Sequence, residues 1–159
     1  MTKTGMFFED LEPGYCAETP ARVITAADID QFAVMTGDNH PLHLDETYAA
    51  CTAFGGRIAQ GALILSIATG LAYSSGYLRG TIEAFVDLNW KYRAPIRIND
   101  AVHARMEVVN KRRLPEQESG LVIIKVTVFN QHNETVQDGR WTLLIRSRNG
   151  QSLQLNATM

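Results

Sequence analysis

The chain is 159 residues long, 45% apolar and 20% charged, a mix that fits one globular domain and excludes disordered, fibrous and membrane-embedded classes. Its formal net charge of −2 gives no global attraction for nucleic acid or an anionic membrane surface, so neither is an expected partner. Two cysteines, Cys16 and Cys51, are too few for a disulfide scaffold and lack the close spacing of a zinc site, and they read as free thiols of a reducing cytoplasm.

The first stretch, MTKTGMFFEDLEPG, has no apolar run after its lysine and no small-residue cleavage site, so no secretory leader is expected. ARVIT, residues 21–25, reads as a short strand. Thr25 then reads as an N-cap with Asp28 in place of the usual capping-box Glu, and a helix is expected from about Ala26. Its apolar positions Ile29, Phe32 and Ala33 fall at helical spacing, and Gly37 supplies the stop. A second short helix is expected from Asp45 until FGG at 54–56 ends it.

The longest helix is expected over residues 59–75. On a helical wheel Leu63, Ile64, Leu65, Ile67, Ala68, Leu71 and Ala72 cover a broad apolar arc, while Ala62, Ser66, Thr69 and Tyr73 share a narrow hydroxylated one. The apolar run is shorter than the ~20 residues a bilayer span needs, so it is a core element. Past Gly80 the period changes to that of strands, expected at 81–92, 101–112, 120–131 and 135–147. Turn signals APIRIND, LPEQESG and QHNE separate them, which predicts an antiparallel meander with one long helix packed on a curled sheet. LVIIKVTVF is apolar on both faces for part of its length, as in a central strand or one covered by a partner subunit. With no repeat or linker, residues 1–148 are expected to form one domain and 149–159 a polar tail.

Six residues, DNHPLH from Asp38 to His43, place a carboxylate and an imidazole five positions apart with a proline between them. Pro41 disfavours helix at His40, so Asp38 and His43 are expected to flank a bend. Two readings follow. The stretch is ordinary turn chemistry, or the bend points both side chains at one water and moves its protons. A metal trio of Asp38, His40 and His43 is disfavoured because the proline spoils helical ligand spacing, and no metal is expected. No Gly-x-Ser-x-Gly nucleophile and no dinucleotide fingerprint occurs. Lys91, Arg93 and Arg97 suit either solvation of a strand end or the phosphates of an anionic ligand.

TGDNHPLHLDETYA, followed by GGRIAQGALILSIATG, resembles the MaoC-like dehydratases, a group that includes the (R)-specific enoyl-CoA hydratases. The family motif reads roughly Asp-x-Asn-Pro-Leu/Ile-His, then IAHG at the start of a long helix, and the resemblance spans about Phe8 to Arg146. It implies an α+β hotdog fold, a long central helix wrapped by a curved antiparallel sheet. It also implies reversible hydration or dehydration of an α,β-unsaturated acyl thioester by Asp38 and His43, without settling which is the base toward water. The substrate is an acyl-CoA or an acyl-carrier thioester, no cofactor beyond that coenzyme A is implied, and the assembly is a homodimer or a set of dimers. Gly61 becomes the N–H donor to the thioester carbonyl, with Gln60, Ser66 and Thr69 as substrate-binding residues and Ala72 to Thr81 shaping the acyl pocket. An unpaired N–H in the first turn of a helix suits that role. Two positions depart from the pattern: His40 stands where the family has Asn, and Gln60 where it has His. A hotdog thioesterase and a non-catalytic thioester-binding domain are the alternatives.

Overall fold

In the computed structural model, which describes residues 5–114 and 118–149, Thr25 and Gly37 bracket the first long helix as their chemistry predicts. Short strands β1 (Cys16–Glu18) and β2 (Arg22–Val23) precede helix α1 (Ala26–Thr36). The Asp28 amide donates to Thr25 Oγ1 at 3.1 Å, and the Thr25 amide donates back to the Asp28 carboxylate at 2.8 Å. Gly37 ends the helix with φ 77°, a left-handed turn that glycine adopts without steric cost. Burial alone would raise the Asp28 pKa, but the Thr25 hydrogen bonds and the Arg22 guanidinium outweigh it and hold the carboxyl below its ordinary value. The carboxylate therefore supports α1 at neutral pH, and that support is lost as pH falls through the lowered value.

Pro41 does not merely bend the chain. It opens a one-turn helix, α2 (Pro41–Leu44), because a proline in the first helical position has its φ already set and lacks only an N–H that would be unpaired there. His40 caps that turn, its Nδ1 accepting from the Leu42 amide at 3.1 Å. His43 thus lies on a helical turn and Asp38 in the loop before it, which corrects the expected simple bend. Asp45 caps α3 (Glu46–Ala50) by accepting from the Tyr48 amide.

Helix α4 (Gly61–Ser74) buries Leu63, Ile64, Ile67, Ala68 and Ala72 and exposes Ala62, Ser66, Thr69 and Tyr73, the two arcs anticipated from the wheel. Each large aliphatic side chain on the buried arc contributes ~1.5–3 kcal/mol. The cover comes from a sheet of β3 (Ile82–Tyr92), β4 (Ala101–Leu114), β5 (Ser119–Phe129) and β6 (Thr135–Arg146) together with β1 and β2. Val122, Ile124, Val126 and Val128 of β5 alternate inward, joined by Trp141, Leu143 and Ile145 of β6. Central β5 lies between β4 and β6, as its two-sided apolar pattern requires.

The strand order β1-β4-β5-β6-β3 corrects the expected meander: β4, β5 and β6 follow one another, but β3 crosses to the far side and pairs with β6. Register shifts between Ile82/Ala84, Phe85/Asp87 and Val108/Asn110 bend the sheet around α4, since a bulge sharpens local twist. A long helix wrapped by a curved antiparallel sheet is the hotdog arrangement. Among the described residues no helix is long and apolar enough to cross a membrane. The expected tail falls outside the described residues except for Asn149, as does part of the LPEQESG connection.

Candidate active site

The N-terminus of α4 is held from below. The Ala59 amide donates to Ile96 O at 2.7 Å, and Ile58 forms an isolated β-bridge with Arg97. Gln60 occupies the cap position but supplies no side-chain cap, so the N–H groups of Gly61 and Ala62 have no partner among the described residues. Beside them opens a cavity of about 510 Å³, walled by His43, Phe54, Gly61, Ala62, Tyr92 and Gln137 among others. Donors at a helix N-terminus, with the positive end of its dipole behind them, favour an oxygen that gains negative charge.

His43 reaches this cavity from α2 with its ring fixed. Nδ1 lies 2.7 Å from Ile58 O. A carbonyl only accepts, so Nδ1 carries the proton and the neutral ring keeps a lone pair on Nε2. Nε2 has no partner among the described residues. Arg57 secures the backbone beneath, its Nε donating to His43 O while its other arm pairs with Asp30. The wall opposite comes from β3 and β6. A Cβ added to Gly61 would sit 2.6 Å from the ring of the exposed Tyr92, so glycine at position 61 lets this ring lie against the helix end.

The remaining expected residues lie elsewhere. Asp38 is exposed outside the cavity wall, its amide bonded to Thr36 Oγ1 and its carboxylate without a hydrogen bond or ion pair among the described residues. Gln60 does not line the cavity: it is 1% exposed and turned under α1, where its amide nitrogen reaches Ile29 O at 3.3 Å. Ser66 and Thr69 donate one turn back to Ala62 O and Leu65 O on the exposed arc, and neither lines the cavity. Ser66 borders a separate groove against α1. Residues 72–81 do not wall the cavity either, and within them Tyr77 and Arg79 accept backbone bonds from Met6 and Gly5. Arg93 borders the cavity and pairs with Asp138, which lowers the Asp138 pKa through that hydrogen bond and charge.

Gln60 Oε1 is buried without a partner among the described residues. Removing that amide costs one long hydrogen bond and relieves one unsatisfied acceptor, and the two nearly cancel. Gln60→Leu is therefore expected to change stability by no more than about 1 kcal/mol, read by thermal melting. A much larger loss would show that Oε1 is satisfied after all.

The sequence profile described as "MaoC like domain" matches residues 11–130. The chain belongs to this MaoC-like family. It is 34% identical over 134 residues to the 3-hydroxybutyryl-CoA dehydratase of Methylorubrum extorquens, covering 84% of this chain and 80% of that one. Identity to the (R)-specific enoyl-CoA hydratase of Rhodospirillum rubrum is 32% over 142 residues, covering 89% and 93% of the two chains. Among solved structures, the monoamine oxidase regulatory protein from Archaeoglobus fulgius superposes with a TM-score of 0.85 at 35% identity, over 92% of this chain and 98% of that one. Within this MaoC-like chain, sequence reasoning missed Arg57, Tyr92 and Gln137. Nothing local marks them, because each acts on a residue distant in sequence.

Proposed function

We propose that the chain catalyses reversible hydration of an α,β-unsaturated acyl thioester, the reaction class named for its 3-hydroxybutyryl-CoA dehydratase and enoyl-CoA hydratase relatives. One observation carries the reading: an imidazole with a committed Nδ1 proton and an uncommitted Nε2 shares a cavity with the unpaired N–H of Gly61. The thioester oxygen docks on Gly61 N–H. Nε2 of His43 takes a proton from water as the water oxygen bonds to C3, and the π electrons move through C2 onto the thioester oxygen. Charge developing there is stabilised by the helix terminus, and return to C2 of the proton that Nε2 took from water completes the addition and restores the neutral imidazole. Asp38 is the second proton carrier in this reading, and to serve it its exposed carboxylate turns from the loop before α2 into the cavity. Phe54, Ala94, Pro95 and Ile96 offer the acyl group an apolar wall. The carrier is coenzyme A or an acyl-carrier arm, and the free thiols Cys16 and Cys51 fit a cytoplasmic setting.

The assembly we infer is a homodimer. Strand β3 pairs on one side only and exposes Phe85, Val86 and Leu88, an apolar edge that soluble chains normally cover.

The test is loss of enoyl absorbance with trans-2-enoyl-CoA substrates that are short, long, branched and carboxylated, run beside a free-thiol assay. Turnover without thiol release is expected. Thiol release without loss of the double bond would replace the reading with a thioesterase, and binding without either would leave a thioester-binding domain.

A further inference from the structure

Gln137 is 2% exposed, yet it borders the cavity and both ends of its amide are engaged. It lies on β6 directly across from Tyr92 of β3. The Trp90 indole donates to Gln137 Oε1 at 2.8 Å, and Gln137 Nε2 donates to Gly61 O at 3.0 Å. Chemistry fixes which end is which: an indole N–H only donates, so the amide oxygen must face it and the nitrogen must face the carbonyl. Trp90 is itself held by stacking on buried Trp141, with ring centroids 6.1 Å apart and planes at 25°.

Gly61 is the residue that most needs such a hold. With no Cβ, glycine is the freest of residues, and it stands in the first turn of α4, where N–H groups lack intrahelical partners. The peptide joining Gly61 to Ala62 is planar, so an anchor on its carbonyl oxygen also aims the N–H at its other end. A hydrogen bond accepted at that oxygen polarises the amide and makes its N–H a stronger donor. That N–H belongs to Ala62, which borders the cavity, and it has no partner among the described residues.

We propose that Gln137, locked by Trp90, is a positioning residue that holds the Gly61–Ala62 peptide so that Ala62 N–H joins Gly61 N–H as a second donor to the thioester oxygen. The inference rests on the proposed thioester chemistry, and its test separates the two. The probe is 4-(dimethylamino)cinnamoyl-CoA, whose absorbance moves to the red when its carbonyl is polarised. It is read with kcat and KM on enoyl-CoA for the native protein, Gln137→Leu and Trp90→Phe.

The native protein is expected to shift the probe to the red. Gln137→Leu should lose much of that shift and about 10- to 100-fold in kcat with little change in KM, less than the ~10²–10³ for removing a donor outright. Trp90→Phe, which frees the amide to turn, should show a smaller loss of both and decides the matter if Gln137→Leu does not fold. A folded variant that keeps the shift overturns the proposal, whether or not kcat falls, because the effect then does not pass through the carbonyl. No shift with the native protein overturns it as well. A native shift without turnover on any enoyl thioester sinks the hydration reading alone.

Discussion

Replacing His43 by glutamine is expected to lower kcat by about 10²–10⁴-fold while the protein stays folded and still binds thioester. The magnitude follows from the tautomer. Ile58 O holds the Nδ1 proton and leaves Nε2 as the only basic atom that His43 brings to the cavity. Glutamine can still donate toward Ile58 O, but its amide is not a base. Asp38→Asn should fall in the same range, and the double variant should cost little more than either alone, since groups that act on one proton inventory are not additive. Loss of enoyl absorbance gives the rates and circular dichroism checks the fold. If His43→Gln kept kcat within tenfold of native, the imidazole would not be the base and the water chemistry would need another origin.

Gly139→Ala should destabilise the protein by about 3 kcal/mol, at the upper end of what overpacking a tight site costs. A Cβ at this position would lie 2.1 Å from Asn89 O, 2.5 Å from Trp90 Cε3 and 3.0 Å from Trp90 Cα. Two of those three atoms are backbone of the paired strand, which a side-chain rotation cannot move. At ~2–4 °C per kcal/mol for a chain of this size, melting should fall by about 6–12 °C. Gly70→Ala makes the contrast, because nothing lies within 4 Å of the added Cβ on α4. There the same methyl should stabilise by ~0.5–1 kcal/mol through helix propensity. Equal shifts in the two variants would show that β3 and β6 part easily at Trp90.

What could be read in the sequence was local. Thr25, Asp28 and Gly37 mark α1 through contacts within a few residues of themselves, and the two arcs of α4 follow from its period alone. Proline at 41 misled because it ends one helix or begins another with equal ease, and only the cap by His40 decides between them. The partner of β3 was not legible, since alternation tells which face of a strand is buried but not which strand lies beside it. The same limit applied to the site. His43 and Gly61 carry motif chemistry, whereas Gln60 turned inward because α1 offers Ile29 O beneath it, and Gln137 and Tyr92 look like ordinary strand residues until β6 meets β3.

The crossing of β3 over to β6 also orders how the molecule comes apart. Both β4 and β5 intervene in the chain, so this pairing closes a longer loop than the β4–β5 or β5–β6 ladders. An edge strand joined along one side is the part of such a sheet that opens at the smallest free energy. Trp90 and Tyr92 travel with it, and without them Gln137 loses its lock and Gly61 its facing ring. In the protomer released from its dimer, amides of β3 should therefore exchange with solvent before those of β5, and catalysis should fail in mild denaturant while the inner strands remain intact.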